Sequence, residues 1–275
     1  MIPLVSRPIG VFDSGVGGLS ILREMRRQMP AESALYFADQ GHVPYGPRPM
    51  DQVRTFSEAI TRFLLSQGAD LIVVACNTAS AAALKHLRQT FPEVPFVGME
   101  PAVKPAAEVT RSGVVGVLAT PATFQGELYA SVVERFGKGV RFVNQTVPGL
   151  VEQIEAGRLA APETEALIRR ALEPILRAGA DTIVLACTHY PLVIPLISRL
   201  AGPQVTVIDP APAIARQAAR LRKPSAPGDP ASRGSVVLVT SGDPGGLTRL
   251  SLPLLGEQVE ARPAEWRGAS LVMTG

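Results

Sequence analysis

Two stretches of this chain are near-copies of one another: GADLIVVACNTAS at residues 68–80 and GADTIVLACTHYP at residues 179–191. Each carries a continuous apolar, β-branched run with no polar alternation. Such a run is the signature of a strand covered on both faces, as in a parallel sheet flanked by helices. Further landmarks repeat in the same order: GVFDS at 10–14 returns as GVLAT at 116–120, and VGMEPA at 97–102 returns as VIDPA at 207–211. The spacing is roughly 110 residues each time, far longer than a solenoid period, so the pattern predicts duplicated domains rather than an array. The expected fold is α/β, with two pseudo-symmetric domains, mainly parallel sheets and the site in the cleft between them.

The elements between the landmarks fit that scheme. PIGVFDSGVGG reads as strand, loop and a helix from Leu19 to Gln28, and DQVRTFSEAITRFLLSQG has apolar residues at Val53, Phe56, Ile60, Phe63 and Leu64, a helical spacing that ends at Gly68. Beyond Pro210 come a helix, AIARQAARLRK, the Pro/Gly/Ser-rich PSAPGDPASRG, expected to be a surface loop, a strand at SVVLVT and a final helix. This tail has no counterpart in the repeat and is expected to complete the first sheet. The expected division is residues 1–97 with 210–275 as the first domain and 98–209 as the second.

Composition narrows the function classes. Hydrophobic residues make up 46% and charged residues 19%, which suits a soluble globular protein. The net charge of +3 comes from scattered basic residues without a stripe, which argues against nucleic-acid binding. No apolar run reaches the ~18 residues of a membrane span, and the first residues do not form a signal peptide. With 2 cysteines there is no disulfide framework, and a cytoplasmic protein with reduced thiols is expected.

Both cysteines, Cys76 and Cys187, stand at the carboxyl end of an apolar run, where open parallel sheets bind ligands. Ser14, Asn77, Thr78 and Thr188 lie beside helix starts, whose free N–H groups favour anions such as carboxylates. Two similar domains facing one another would put a thiol on each wall of one cleft. That arrangement suits inversion of a stereocentre: one thiolate removes a proton from carbon and the opposite thiol returns one to the other face. Asp13 and His189 are the groups placed to adjust the two thiols. A zinc site would need more ligands than two cysteines and His189 supply, so no metal is expected. The glycines of DSGVGG do not form a dinucleotide fingerprint, and they lack the lysine of a P-loop. His42 and His86 are assigned surface roles.

Taken together, IGVFDSGVGGLS, YFADQGHVPYGPRP, VACNTASA, GMEPAVKPA, LACTHYPLV, VIDPAPAIA and TSGDP resemble the glutamate racemases of the aspartate/glutamate racemase family, over nearly the whole chain. The resemblance implies a cofactor-independent enzyme that interconverts L- and D-glutamate and supplies D-glutamate for peptidoglycan in the bacterial cytoplasm. It implies that Cys76 deprotonates D-glutamate and Cys187 L-glutamate, with Asp13 assisting the first thiol and His189 the second. Substrate contacts would come from Asp13, Ser14, Tyr45, Gly46, Asn77, Thr78, Thr188 and His189. The family's auxiliary acid aligns with Glu155, with Glu152 as the competitor. Thr146-Val147-Pro148 stands where many members read Ala-Cys-Pro, which leaves the catalytic pair intact. A homodimer is expected, in an arrangement the sequence does not fix. The competing readings are a racemase or lyase for aspartate, hydantoins or malonates, and a binding protein acting on DNA gyrase; the residues after each cysteine and the PYG loop favour glutamate. The first motif lies only nine residues in, which argues against the N-terminal extension that a gyrase-binding role predicts.

Overall fold

The computed structural model describes residues 7–222 and 233–274. The first half runs β1 (Ile9–Asp13), α1 (Leu19–Gln28), β2 (Ala34–Ala38), α2 (Met50–Ser66), β3 (Leu71–Val74), α3 (Asn77–Thr90) and β4 (Phe96–Gly98). The second runs α4 (Val103–Val109), β5 (Val114–Ala119), α5 (Pro121–Gln125), α6 (Glu127–Phe136), β6 (Arg141–Gln145), α7 (Leu150–Glu155), α8 (Pro162–Arg177), β7 (Thr182–Ala186), a 3-10 turn (Tyr190–Val193), α9 (Ile194–Ala201) and β8 (Thr206–Ile208). The tail contains α10 (Ala211–Leu221), β9 (Val236–Thr240), α11 (Pro244–Leu255), β10 (Ala261–Arg267) and β11 (Ser270–Met273).

The duplication is visible in the strand orders. The second sheet runs β6-β5-β7-β8, and the first contains the same order, β2-β1-β3-β4, extended by β9, β10 and β11 beyond β2. All pairings are parallel except β10 with β11. The tail thus joins the first sheet. It does not stop at the expected final helix, however: α11 is followed by the β10–β11 pair, whose turn uses Gly268 at φ +61°. These strands are missed in the sequence because they sit at a sheet edge and are largely exposed, so they lack the unbroken apolar run that marks β3 and β7. Residues 224–232 of the expected surface loop lie outside the described residues.

The helices sit where apolar periodicity puts them. In α2, Val53, Ile60, Phe63 and Leu64 are buried, and the chain turns out at Gly68 with φ +91°, where any side chain would be strained. Each fully buried Leu or Ile of this kind contributes about 2 kcal/mol. One apolar cluster runs without a break from Val11 and Leu22 of the first half to Leu150, Ile175 and Tyr190 of the second. The outer faces of the two sheets carry separate clusters, one beneath α2 and α3 and one beneath α4 and α6.

The helix after the last repeated strand of each half packs on the other half. α4 follows β4 but lies against α6 and β7, and α10 follows β8 but lies against α1 and β4. The chain therefore crosses twice, at Glu100-Pro101-Ala102 and at Asp209-Pro210-Ala211. Among the described residues no helix is long and apolar enough to cross a membrane.

Candidate active site

Strand order decides where a site can form. In each sheet the first repeated strand lies between the second and the third, so the connections leave in opposite directions and open a crevice between β1 and β3 and between β5 and β7. Asp13-Ser14 and Cys76 border the first crevice; Thr120 and Cys187 border the second. The two crevices meet in one cavity of about 340 Å³ lined by Ser14, Tyr45, Gly46, Cys76, Asn77, Thr78, Thr120, Cys187, Thr188 and His189, among others. That volume is in the range of small-molecule sites. No lysine or arginine lines it among the described residues, and Glu152 is its only acid.

On the first wall Cys76 is the residue before α3, 4% exposed, and its sulfur accepts the Ala79 N–H at 3.5 Å. The Cys76 thiol lies 3.9 Å from Ser14 Oγ. Burial, then the charge of Asp13 and that of Cys187, push the Cys76 thiol well above its ordinary range. Asp13 stands behind the cavity wall, fully buried. Its Oδ2 accepts the Gly18 N–H at 2.8 Å and its Oδ1 accepts the Thr188 hydroxyl at 3.2 Å, so a residue of the second half steadies it. Burial raises the Asp13 carboxyl, and His189 and Gly18 offset part of that. The Asn77 side chain is buried with neither its oxygen nor its nitrogen hydrogen-bonded among the described residues, a costly arrangement unless a ligand supplies the partners.

The second wall centres on His189, 1% exposed, whose Nε2 lies 2.6 Å from Glu155 Oε1. Burial opposes the imidazolium, yet hydrogen bonds to Cys187 and Glu155 and the charges of Glu155 and Asp13 hold His189 well above the ordinary histidine range. Glu155 also accepts the Val16 N–H at 2.7 Å and the Gln40 amide at 2.8 Å. Glu155 therefore backs His189 from outside the cavity, whereas Glu152, one turn earlier on α7, lines it.

The halves are bound across the cavity. Thr78 Oγ1 and Thr120 Oγ1 are 2.9 Å apart, and a Cβ at Gly46 would sit 2.9 Å from Thr120. The glycines of DSGVGG have a steric reason as well. A Cβ at Gly15 would run into Glu155 Oε1, and one at Gly17 would fall 2.7 Å from the His189 backbone nitrogen. The loop is glycine-rich so that the second half can approach it.

Ala119-Thr120, the counterpart of Asp13-Ser14 in the repeat, is expected at the same cleft, and Thr120 does line the cavity. Sequence reasoning passed over Asp39 and Gln40, although these two directly follow strand β2 and the strand-end rule that found Asp13 would have found them. Tyr45 lines the cavity, but its hydroxyl donates to Asp39 at 2.6 Å. His42 is not a free surface residue: its ring stacks on Phe56 at 4.0 Å and meets Trp266 edge-on at 5.0 Å. His86 is paired with Glu58 at 2.7 Å on the outer face of α2 and α3.

Known proteins share this sequence and this fold. The sequence profile of the Asp/Glu/hydantoin racemases matches residues 9–218. Over 216 residues the chain is 56% identical to a glutamate racemase of Roseiflexus sp. (strain RS-1), covering 78% of this chain and 79% of that protein. It superposes on the crystal structure of a Thermus thermophilus glutamate racemase in complex with β-chloro-D-alanine with a TM-score of 0.76 at 37% identity, over 94% of this chain and 96% of that one. For the Escherichia coli glutamate racemase in complex with L-glutamate and the activator UDP-MurNAc-Ala the TM-score is 0.82 at 30% identity, over 98% and 100% of the two chains.

Proposed function

This chain belongs to the Asp/Glu/hydantoin racemase family, and we propose that it is a glutamate racemase that interconverts L- and D-glutamate by a two-base mechanism. The observation that carries the mechanism is the pair of buried thiols, one from each duplicated half, on one cavity at equivalent strand ends.

From D-glutamate, the Cys76 thiol passes its proton to Asp13, whose proton affinity burial has raised. The resulting thiolate takes the proton from Cα, and the electron pair left behind spreads into the α-carboxylate, which makes the carbon planar. The Cys187 thiol then delivers its proton to the opposite face, giving L-glutamate, and the thiolate formed is stabilised by the charged His189. The reverse direction uses the same groups in the opposite order, with Glu155 holding His189 in its charged state. Asn77, Thr78, Ser14, Thr188 and the Tyr45–Gly46 rim hold the substrate. Neutral donors beside the start of α3 suit two carboxylates in a cavity that no lysine or arginine lines among the described residues.

The assay is circular dichroism of D-glutamate with and without the protein. The wild type should bring the signal to zero, while Cys76→Ser and Cys187→Ser should each lose at least about 10³-fold in kcat, in line with removal of a nucleophile or base. Turnover of aspartate with inert glutamate would overturn the substrate.

The same reading gives the protein a cytoplasmic place and a role in supplying D-glutamate for peptidoglycan, tested by rescue of a D-glutamate auxotroph. It also gives a homodimer, for which sedimentation should return twice the 29.1 kDa of one chain. We read residues 1–97 with 210–275 as one domain and 98–209 as the other. Packing of α4 and α10 supports those limits, and limited proteolysis should cut at the two crossings.

A further inference from the structure

The family profile ends at residue 218, yet strands beyond it reach the site. β9 pairs with β2 in register, Ala38 opposite Thr240, so Thr240 and Ser241 emerge beside Asp39 and Gln40. Asp39 is fully buried and collects donors from three segments. Ser241 Oγ donates to its Oδ1 at 2.6 Å and Trp266 Nε1 at 2.8 Å; Tyr45 OH donates to its Oδ2 at 2.6 Å, where His42 Nδ1 lies at 3.0 Å. Gln40 is held as firmly. The Thr240 hydroxyl accepts the Gly242 N–H and therefore donates to Gln40 Oε1 at 2.9 Å, which turns the Gln40 amide nitrogen toward Glu155 Oε2 at 2.8 Å.

We propose that Asp39 and Gln40 are positioning residues through which the C-terminal strands fix two parts of the site at once: Asp39 holds the Tyr45–Gly46 rim, and Gln40 holds Glu155 behind His189. The inference rests on the racemase reading above. A buried carboxylate must be satisfied by its donors, so the indole and the Ser241 hydroxyl decide where Asp39, and with it Tyr45, comes to rest. The rim touches Thr120 of the second half at Gly46, so its position also sets the width of the cavity. Displacements of about 1 Å in such supports cost up to ~10²-fold in rate or affinity.

The two arms predict opposite kinetic splits, because the rim contacts substrate without moving a proton and Glu155 serves the proton transfer. Trp266→Phe keeps an aromatic ring in place and removes only the indole donor; it should raise KM for glutamate at least fivefold with kcat within twofold. Gln40→Leu should lower kcat at least fivefold with KM within twofold. Melting temperatures measured alongside separate either pattern from loss of folded protein, and Ser241→Ala, a smaller change at the same carboxylate, should repeat the Trp266→Phe pattern. Trp266 is the only tryptophan in the chain, so its emission in Cys76→Ser protein should change saturably as D-glutamate is added. Wild-type KM in Trp266→Phe, wild-type kcat in Gln40→Leu, or emission that ignores D-glutamate overturns the inference. A wild type that leaves glutamate unracemised overturns the function itself, and the two failures are told apart by that control.

Discussion

The hydrogen bond between His189 and Glu155 joins a group whose proton affinity is raised to one whose affinity is lowered, and the two shifts bound a pH window. Burial pushes Glu155 upward, but His189, Gln40 and the Val16 N–H more than offset it, so its folded value lies below the ordinary 4.5. Its contribution is complete above 4.5 and lost as pH falls through the folded value. His189 lies above its ordinary 6.5, so its contribution is complete below 6.5 and lost as pH rises through the folded value. The pair therefore stabilises most between 4.5 and 6.5. Glu155→Gln should cost about 2 kcal/mol there, a fall of roughly 5 °C in Tm, and progressively less on either side. Calorimetry across pH checks this, and a difference independent of pH would refute it. Ser14, Cys76, Asn77, Cys187 and Thr188 on the cavity wall were legible in the sequence because each closely follows a strand. Glu155 could not be told from Glu152 in the same way. Three residues apart on one short helix, the two share a face, and what distinguishes Glu155 is tertiary: contacts from His189, Val16 and Gln40.

At the scale of elements, the β1–α1 loop shows how a glycine can serve contact rather than turn geometry. Gly17 and Gly68 make a controlled comparison. A methyl group at Gly17 meets the backbone of His189, which cannot swing aside, whereas at Gly68 it meets nothing within 4 Å and only the positive φ is strained. Gly17→Ala should therefore lower kcat at least tenfold, since overpacking of about 1–3 kcal/mol falls directly on His189. Gly68→Ala should lower Tm by a few degrees, for about 1 kcal/mol of backbone strain, and leave kcat unchanged. Steady-state rates and melting curves of the two variants decide it; equal kcat values would sink the argument. Helix α1 and the apolar strands follow the expected bounds because periodicity and burial agree there. β10 and β11 escaped because an exposed edge pair needs no apolar run, and Pro263 within β10 reads as a break in a strand.

For the molecule as a whole, the duplication could be read from three pairs of landmarks, since matched strand ends keep their loops. The exchange of α4 and α10 could not, because a helix carries the same apolar stripe whichever sheet it covers. Its consequence is a shared apolar core and a cavity closed by contacts such as Thr78 with Thr120. Cys76 and Cys187 are 4% and 5% exposed, so iodoacetamide should react with them at least about tenfold more slowly than with a free thiol, and saturating glutamate should slow it further. Mass spectrometry of the two cysteine peptides reads the rate directly, and faster modification in the presence of glutamate would contradict a closed site.

The place of β9 beside β2 also sets an order of events during synthesis. Ala34 finds its partner at Val236, about 200 residues later in the chain, and long-range pairings of this kind form late. Until they form, the edge of β2 is bare, and Asp39 and Gln40 lack the partners that settle the rim and the acid. A chain that stops before β9 carries both thiols but lacks Thr240, Ser241 and Trp266. The settling of Asp39 and Gln40 thus waits on β9 and β10.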